Sequence, residues 1–146
     1  MNRSIRFALL ATLPLALVAC GDDDPEDACH VDAVTMTVTY GGQSADVDLA
    51  DLDGVLDGEL CRVPLVDVVT TANLGIDLAS TYVTFEASDG FRPTQVGCSE
   101  LPGTTLDDGD VDRPTGTILW DESLDLRGCY HVNEARVIVV TDATTV

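Results

Sequence analysis

The sequence contains no lysine, so arginine supplies all of its permanent positive side-chain charge. Seven basic residues stand against 26 acidic ones, and the 146-residue chain has a net charge of −19. This balance excludes nucleic acid as a main partner and argues against binding to anionic lipids through a basic patch. Both kinds of binding need clustered positive charge. Since 45% of the residues are hydrophobic, wholesale disorder is not expected. Length and composition together predict one small acidic domain.

The sequence also lacks a hydrophobic run long enough to cross a membrane as a helix. Its most apolar stretch, residues 7–19, follows a short segment that contains Arg3 and Arg6 but no acid. The stretch of about 13 residues falls short of the roughly 20 that a transmembrane helix needs. A basic start followed by a short apolar stretch is typical of a secretory signal peptide, which we predict for residues 1–19.

The end of this signal peptide indicates a lipid anchor. Residues 17–20, Leu-Val-Ala-Cys, resemble the lipobox of bacterial lipoproteins. The resemblance implies cleavage before Cys20, a diacylglycerol thioether on its sulfur, and firm anchoring by several acyl chains. Because Gly21 follows rather than aspartate, the outer membrane or the periplasmic face is favoured over the inner membrane. An ordinary signal peptide with a chance cysteine is the alternative.

The segment after the lipobox is acidic and contains nothing to bury. Residues 20–32 are therefore predicted to form a solvated tether between the lipid and a domain that spans residues 33–146. Loose calcium capture is the alternative for this tether. Because the signal peptide contains two arginines and no acid, its removal leaves a net charge of −21.

The domain lacks a Cys-x-x-Cys motif, which argues against a thioredoxin-type redox pair. Four of the five cysteines remain once Cys20 is set aside, and an even number in an exported chain indicates disulfides, here two with three pairings open. The favoured pairing is Cys29 with Cys61 and Cys98 with Cys129. Zinc binding is the alternative, because His30 and His131 lie beside two of these cysteines. Adjacent Cys29 and His30 would have difficulty reaching one ion.

Hydrophobic periodicity predicts two strands and a helix in the first half of the domain. Alternation over Val34–Tyr40 and Ser44–Leu49, with two glycines between, indicates a hairpin. Residues 51–57 are expected to form a turn or a short helical piece. One helix should begin at Pro64 and stop at Gly75, because apolar residues then recur at helical spacing. The residues of this face are Leu65, Val68, Val69 and Ala72.

The second half of the domain is predicted to contain strands on either side of a polar loop. A strand is predicted over Thr81–Ala87, with an Asp-Gly turn leading to a second strand over Phe91–Val96. Residues 101–116 are expected to form a loop, followed by a short strand over Thr117–Trp120. The apolar run Arg136–Thr141 predicts a central strand. The order of elements defines a single α+β domain with one main helix on a mostly antiparallel sheet.

Motifs of catalysis and metal binding are missing. The chain has no GxSxG motif for a hydrolase nucleophile, and neither acidic stretch, at residues 51–59 or 107–112, completes an EF-hand loop. A calcium site of another shape in Asp107–Asp112 is the alternative to a solvated loop. Trp120 is predicted to pack in the core or at its edge. No catalytic, cofactor-binding or metal-ligating residue is assigned.

Four segments in order resemble the molybdopterin-binding domain of the sulfite oxidase family. Residues 61–69 (CRVPLVDVV) are similar to its GVPL-x-DLL helix start, and residues 82–91 (YVTFEASDGF) to its YVTF-x-(A/S)-x-DGY strand and turn. Residues 47–52 and 132–140 are similar to an earlier stretch and to the closing strand. The resemblance spans residues 34–142, and it implies that family's fold for the domain.

The departures from that family argue against its activity. The family binds molybdenum through a cysteine about a dozen residues before the VPL motif, and the corresponding stretch near Ala50 contains none. Arg62 replaces a family glycine, and the basic residues around the pterin phosphate have no counterpart. We therefore expect no cofactor and a non-catalytic, lipid-anchored envelope protein that serves as a binding or accessory module, with an envelope protein as a possible partner. The alternatives are a molybdopterin-dependent oxidoreductase or its electron-transfer subunit, and a calcium-dependent surface interaction module.

We predict that Cys20→Ser releases the protein from the membrane fraction, because serine cannot accept the thioether-linked lipid. Fractionation and metabolic labelling with a fatty-acid analogue measure this, with the parent chain as the labelled, membrane-bound reference. A variant that still sediments with membranes and carries the label would contradict lipidation at Cys20.

Overall fold

The computed structural model describes Cys29, residues 32–95 and residues 97–143. The predicted signal peptide, Cys20 and most of the predicted tether over residues 20–32 lie outside these residues. The described chain forms, in order, β1 (Thr35–Tyr40), β2 (Gln43–Asp48), β3 (Val55–Asp57), β4 (Leu60–Pro64), α1 (Leu65–Thr71), β5 (Thr81–Ala87), β6 (Leu101–Pro102), β7 (Gly109–Asp112), β8 (Ile118–Trp120) and β9 (Ala135–Asp142). Short 3-10 helices occupy Leu49–Asp51, Leu78–Ser80, Gly103–Asp108 and Gly128–Tyr130.

The strands are arranged in two sheets. Five strands follow the order β2-β1-β9-β5-β6, and four follow the order β3-β4-β7-β8. Neighbouring strands are antiparallel except for β1 and β9, which run parallel. The predicted class is confirmed: this is a small single α+β domain with mostly antiparallel sheets and few helices. The expectation of one sheet is corrected to two.

The strands with clear alternation or strong apolar character form where the sequence predicts them. In β1, Met36 and Val38 are fully buried while the intervening threonine is not, and Gly41 and Gly42 adopt positive φ angles in the turn to β2. The predicted boundaries of β5 match the observed ones. The C-terminal strand β9 lies between β1 and β5, so its predicted central position is confirmed.

The helix α1 presents the predicted apolar face to the core. Pro64 lies immediately before the first helical residue, and Leu65, Val68 and Val69 are buried against both sheets. The helix ends at Thr71 rather than at Gly75, because Asn73 takes a left-handed conformation with φ of 53°. A non-glycine residue in that conformation cannot continue an α-helix.

Three sequence expectations are wrong in detail. Residues 91–95, where the second strand of the hairpin was predicted, form no strand, because Pro93 cannot donate a ladder hydrogen bond. The chain turns there instead, and the Ala87 amide donates to the Phe91 carbonyl at 2.9 Å. The predicted loop over residues 101–116 contains β6, a 3-10 helix and β7. The predicted turn at residues 51–57 contains β3. In both regions acidic residues separate the few apolar ones, which hides the periodicity.

One hydrophobic core joins the two sheets and α1. Trp120 is buried in it, with its ring edge-on to Phe85 at 6.0 Å between centroids and its indole nitrogen donating to the Tyr130 carbonyl at 2.8 Å. The prediction that Trp120 packs in the core is confirmed. A satisfied indole N–H is what burial of this side chain requires.

A fully buried arginine lies where the N-terminal end of the domain meets the four-stranded sheet. The Arg113 guanidinium has no exposed surface, and it donates to the carbonyl oxygens of Cys29 and Leu52. The Arg113 backbone adds two further links, since its amide donates to Cys61 O at 2.8 Å and its carbonyl accepts from Val34 N at 3.0 Å. One residue therefore connects four chain segments.

The preceding residue, Asp112, is also buried and reinforces this junction. Its Oδ1 accepts from the Cys61 amide at 3.0 Å, and its Oδ2 accepts from the Thr115 hydroxyl at 2.6 Å. Both carboxylate oxygens thus have donors, which offsets the cost of removing the charge from water.

We predict that Arg113→Met lowers the free energy of unfolding by about 2–5 kcal/mol, because it leaves buried carbonyl oxygens without a donor. Urea denaturation measures the difference. Arg92→Met is the matched control, because Arg92 is exposed, and it should change stability by less than about 0.5 kcal/mol. Equal stability of the Arg113 variant and the parent would show that the buried guanidinium stabilises nothing.

Candidate binding site

Two disulfides join the four cysteines of the domain. Cys29 is bonded to Cys61 with their Cα atoms 5.3 Å apart, and Cys98 to Cys129 with theirs 5.8 Å apart. This is the pairing that the sequence favoured. Disulfides persist in proteins that fold outside the reducing cytoplasm. Because Cys129 is oxidised, it supplies no thiolate for the zinc alternative with His131.

A cleft of about 810 Å³ opens beside the Cys98–Cys129 disulfide. One wall is the turn and extended segment after β5, and the other is the segment that contains the last 3-10 helix, Gly128–Tyr130. The lining consists of Ala87, Asp89, Phe91 and residues 93–95, 127–129 and 131–133. The volume lies within the range typical of small-molecule sites.

The chain segments beside the cleft are held by the disulfide and by hydrogen bonds near it. The Thr84 hydroxyl donates to the Cys98 carbonyl at 3.2 Å, which ties this segment to β5. The Tyr130 hydroxyl donates to the Gly97 carbonyl, which links the chain just beyond the first wall to the 3-10 helix of the second wall. Burial raises the pKa of Tyr130 above its ordinary value, so the phenol keeps the proton that this hydrogen bond needs.

The first wall presents an aromatic ring to solvent. Phe91 is 60% exposed, yet its backbone is fixed, because its amide donates to Asp89 Oδ1 at 2.9 Å and its carbonyl accepts from the Ala87 amide. Gly90, with φ of 81°, makes the turn that places the ring at the rim. An exposed ring on a fixed backbone is a preformed contact surface.

The second wall is polar. Arg127, His131 and Asn133 line it, opposite Asp89 and Gln95 on the first wall. The Arg127 guanidinium lies over Gly97, where a Cβ atom would approach its Nη1 to 2.6 Å. A side chain at position 97 would therefore displace the arginine. The rim combines charges of both signs with amide groups that donate and accept.

The acidic stretch over Asp107–Asp112 is not arranged as a calcium loop. It runs from a 3-10 helix into β7, and Asp110 pairs with Arg62 at 3.3 Å. Asp112 uses both of its oxygens within the protein, as described above. No group of three metal-ligating side chains occurs among the residues that the structure describes.

Of the residues that the sequence singled out, the structure brings the four domain cysteines together in pairs, and it places Cys129 and His131 at the cleft. Cys20 and His30 lie outside the described residues. Sequence reasoning missed Phe91 and Asp89 as site residues. The Asp-Gly signal located their turn correctly, but the strand predicted after it concealed that Phe91 stays at the surface.

No protein-family model matches the chain, and neither a curated protein nor a solved structure is significantly similar to it. Within the described part of the chain, the helices are too short or too polar to cross a membrane.

We predict that the denatured, unreduced protein exposes no reactive thiol at the four domain cysteines, because each is bonded to another. Maleimide labelling followed by mass spectrometry of peptides checks this, and the same procedure after reduction provides the positive control. Labelling of two or more of these cysteines without reduction would overturn the disulfide assignment.

Proposed function

We propose that the protein is a non-catalytic, lipid-anchored protein of the bacterial cell envelope that acts as a binding or accessory module through the cleft beside Cys98–Cys129. The observation that carries this proposal is the cleft, which lies beside a disulfide and has an exposed aromatic ring at its polar rim. Two disulfides and the lipobox-like residues 17–20 support a place outside the cytoplasm. The tether over residues 20–32 would hold the domain away from the lipid surface.

The fold that we propose within the α+β class is a reduced version of the sulfite-oxidase-type molybdopterin domain. The positions of three resembling segments support it. Residues 61–69 run from β4 into the start of α1, residues 82–91 contain most of β5 and its turn, and residues 132–140 contain most of β9. These are the helix start, the strand with its turn and the closing strand that the resemblance implies.

The residues present do not fit the cofactor of that family. Molybdenum in such a domain needs a deprotonated cysteine, and the four cysteines of the described chain are engaged in disulfides. The Arg62 side chain, at the position of a family glycine, pairs with Asp57 at 2.9 Å and with Asp110 at 3.3 Å. We therefore propose a binding role on this fold and no redox step.

The cleft assignment is tested by protein-observed NMR with a library of low-molecular-weight fragments. We predict that shift changes concentrate at Asp89, Phe91 and residues 127–133, because a preformed concave site with fixed walls concentrates ligand contacts. Thr94→Trp, which places a large ring in the cleft, should abolish these changes. Thr104→Trp, at an exposed position in the 3-10 helix Gly103–Asp108, is the matched control and should leave them intact.

Fragment shifts that fall elsewhere on the domain, or that persist in Thr94→Trp, would contradict the proposal that this cleft is the binding site.

A further inference from the structure

We propose that the cleft binds a neutral saccharide, with the Phe91 ring as the surface on which a sugar ring stacks. This inference rests on the proposed function, because it names the ligand class of the same cleft. It is carried by the juxtaposition of an exposed aromatic ring, on a hydrogen-bonded backbone, with a rim of planar polar side chains.

The exposure of Phe91 distinguishes it from the other large apolar side chains of the described chain. Three such side chains are exposed, Val55, Leu56 and Phe91, and of these only Phe91 is aromatic and lines the cleft. Full burial of such a side chain is worth about 1.5–3 kcal/mol, and Phe91, which is 60% exposed, forgoes a large part of it. A ligand with an apolar face recovers that free energy, and the C–H groups on one face of a sugar ring provide such a face.

The rim matches the hydrogen-bonding properties of a polyhydroxyl ligand. Each sugar hydroxyl both donates and accepts, so it needs both kinds of partner. Asp89 accepts, Arg127 donates, and the amide groups of Gln95 and Asn133 do both. All four lie around the same opening as Phe91. A ligand that only accepts, or only donates, would contact part of this rim and not the rest.

Charge argues for a neutral ligand. The mature chain would carry a net charge of −21, which repels phosphorylated and sulfated compounds before they reach the cleft. A cation is not selected either, because Arg127 faces the same opening as Asp89. A neutral ligand avoids both penalties.

An extended peptide fits the lining less well than a saccharide. Peptides that add to a domain through their backbone usually pair with a free strand edge. Of the lining residues, only Ala87 belongs to a strand, and its amide already donates to the Phe91 carbonyl. The other lining residues belong to turns, extended segments and a 3-10 helix, which offer no ladder.

The test is binding of the purified full-length protein to an array that carries neutral oligosaccharides, sulfated oligosaccharides and peptides. The detergent must be free of sugar head groups, since these would compete for the cleft. We expect binding to neutral oligosaccharides, and a loss of at least about tenfold in affinity for Phe91→Ala, measured by calorimetry. Phe91→Trp should retain affinity and Phe91→Leu should lose it, because the effect depends on the ring.

Val55→Ala is the matched control, because Val55 is also an exposed apolar side chain, 68% exposed on the edge strand β3. It should bind as the parent does. The inference is overturned if Phe91→Ala binds neutral saccharides as tightly as the parent.

The array separates failure of this inference from failure of the proposed function. If only peptides or sulfated probes bind, and Thr94→Trp prevents their binding, the cleft is a binding site but the ligand class is wrong. If no probe on the array binds and the fragment library gives no shifts at the cleft, both proposals are wrong.

Discussion

Burial of the Arg113 guanidinium is the constraint on which the N-terminal half of the domain depends. A charged side chain without exposed surface must have hydrogen-bond acceptors placed around it, and the carbonyl groups of Cys29 and Leu52 are held there. The same region contains the Cys29–Cys61 disulfide, and Gly54 packs against both, where a Cβ atom would approach Cys61 Sγ to 2.9 Å. These contacts therefore fix four segments relative to one another: Cys29, the loop before β3, and the ends of β4 and β7.

The two disulfides serve separate parts of the molecule. Cys29–Cys61 attaches Cys29, the first described residue, to the strand β4. Cys98–Cys129 joins the last 3-10 helix, in one wall of the cleft, to the chain just beyond the other wall, and both segments lack extended strand pairing. Irregular segments ordinarily keep more conformational freedom than strands do. A covalent link between them restrains the shape of the cleft without extending either sheet.

Sequence patterns predicted the strands and the helix in which buried side chains recur at a regular spacing. They missed the elements in which only one or two side chains are buried. β1, β5 and β9 were predictable because each contains several apolar residues that together indicate which side of the strand is buried. β7 was not, because Val111 is a single buried apolar residue between acids, and its neighbour Asp112 is buried through hydrogen bonds that no periodicity reveals. The disulfides and the turn at Asp89 were likewise within reach of the sequence. The cleft was not, since its shape arises from segments far apart in the chain.

The position of β9 has a consequence for the order in which the chain folds. The last strand of the sequence lies in the middle of the five-stranded sheet, between β1 and β5. A ribosome must therefore release residues 135–142 before the two halves of that sheet can meet. Until then the β1–β2 hairpin and β5 have no common neighbour, and the core stays open. The five-stranded sheet therefore closes late, after β1, β2 and β5 have all been synthesised.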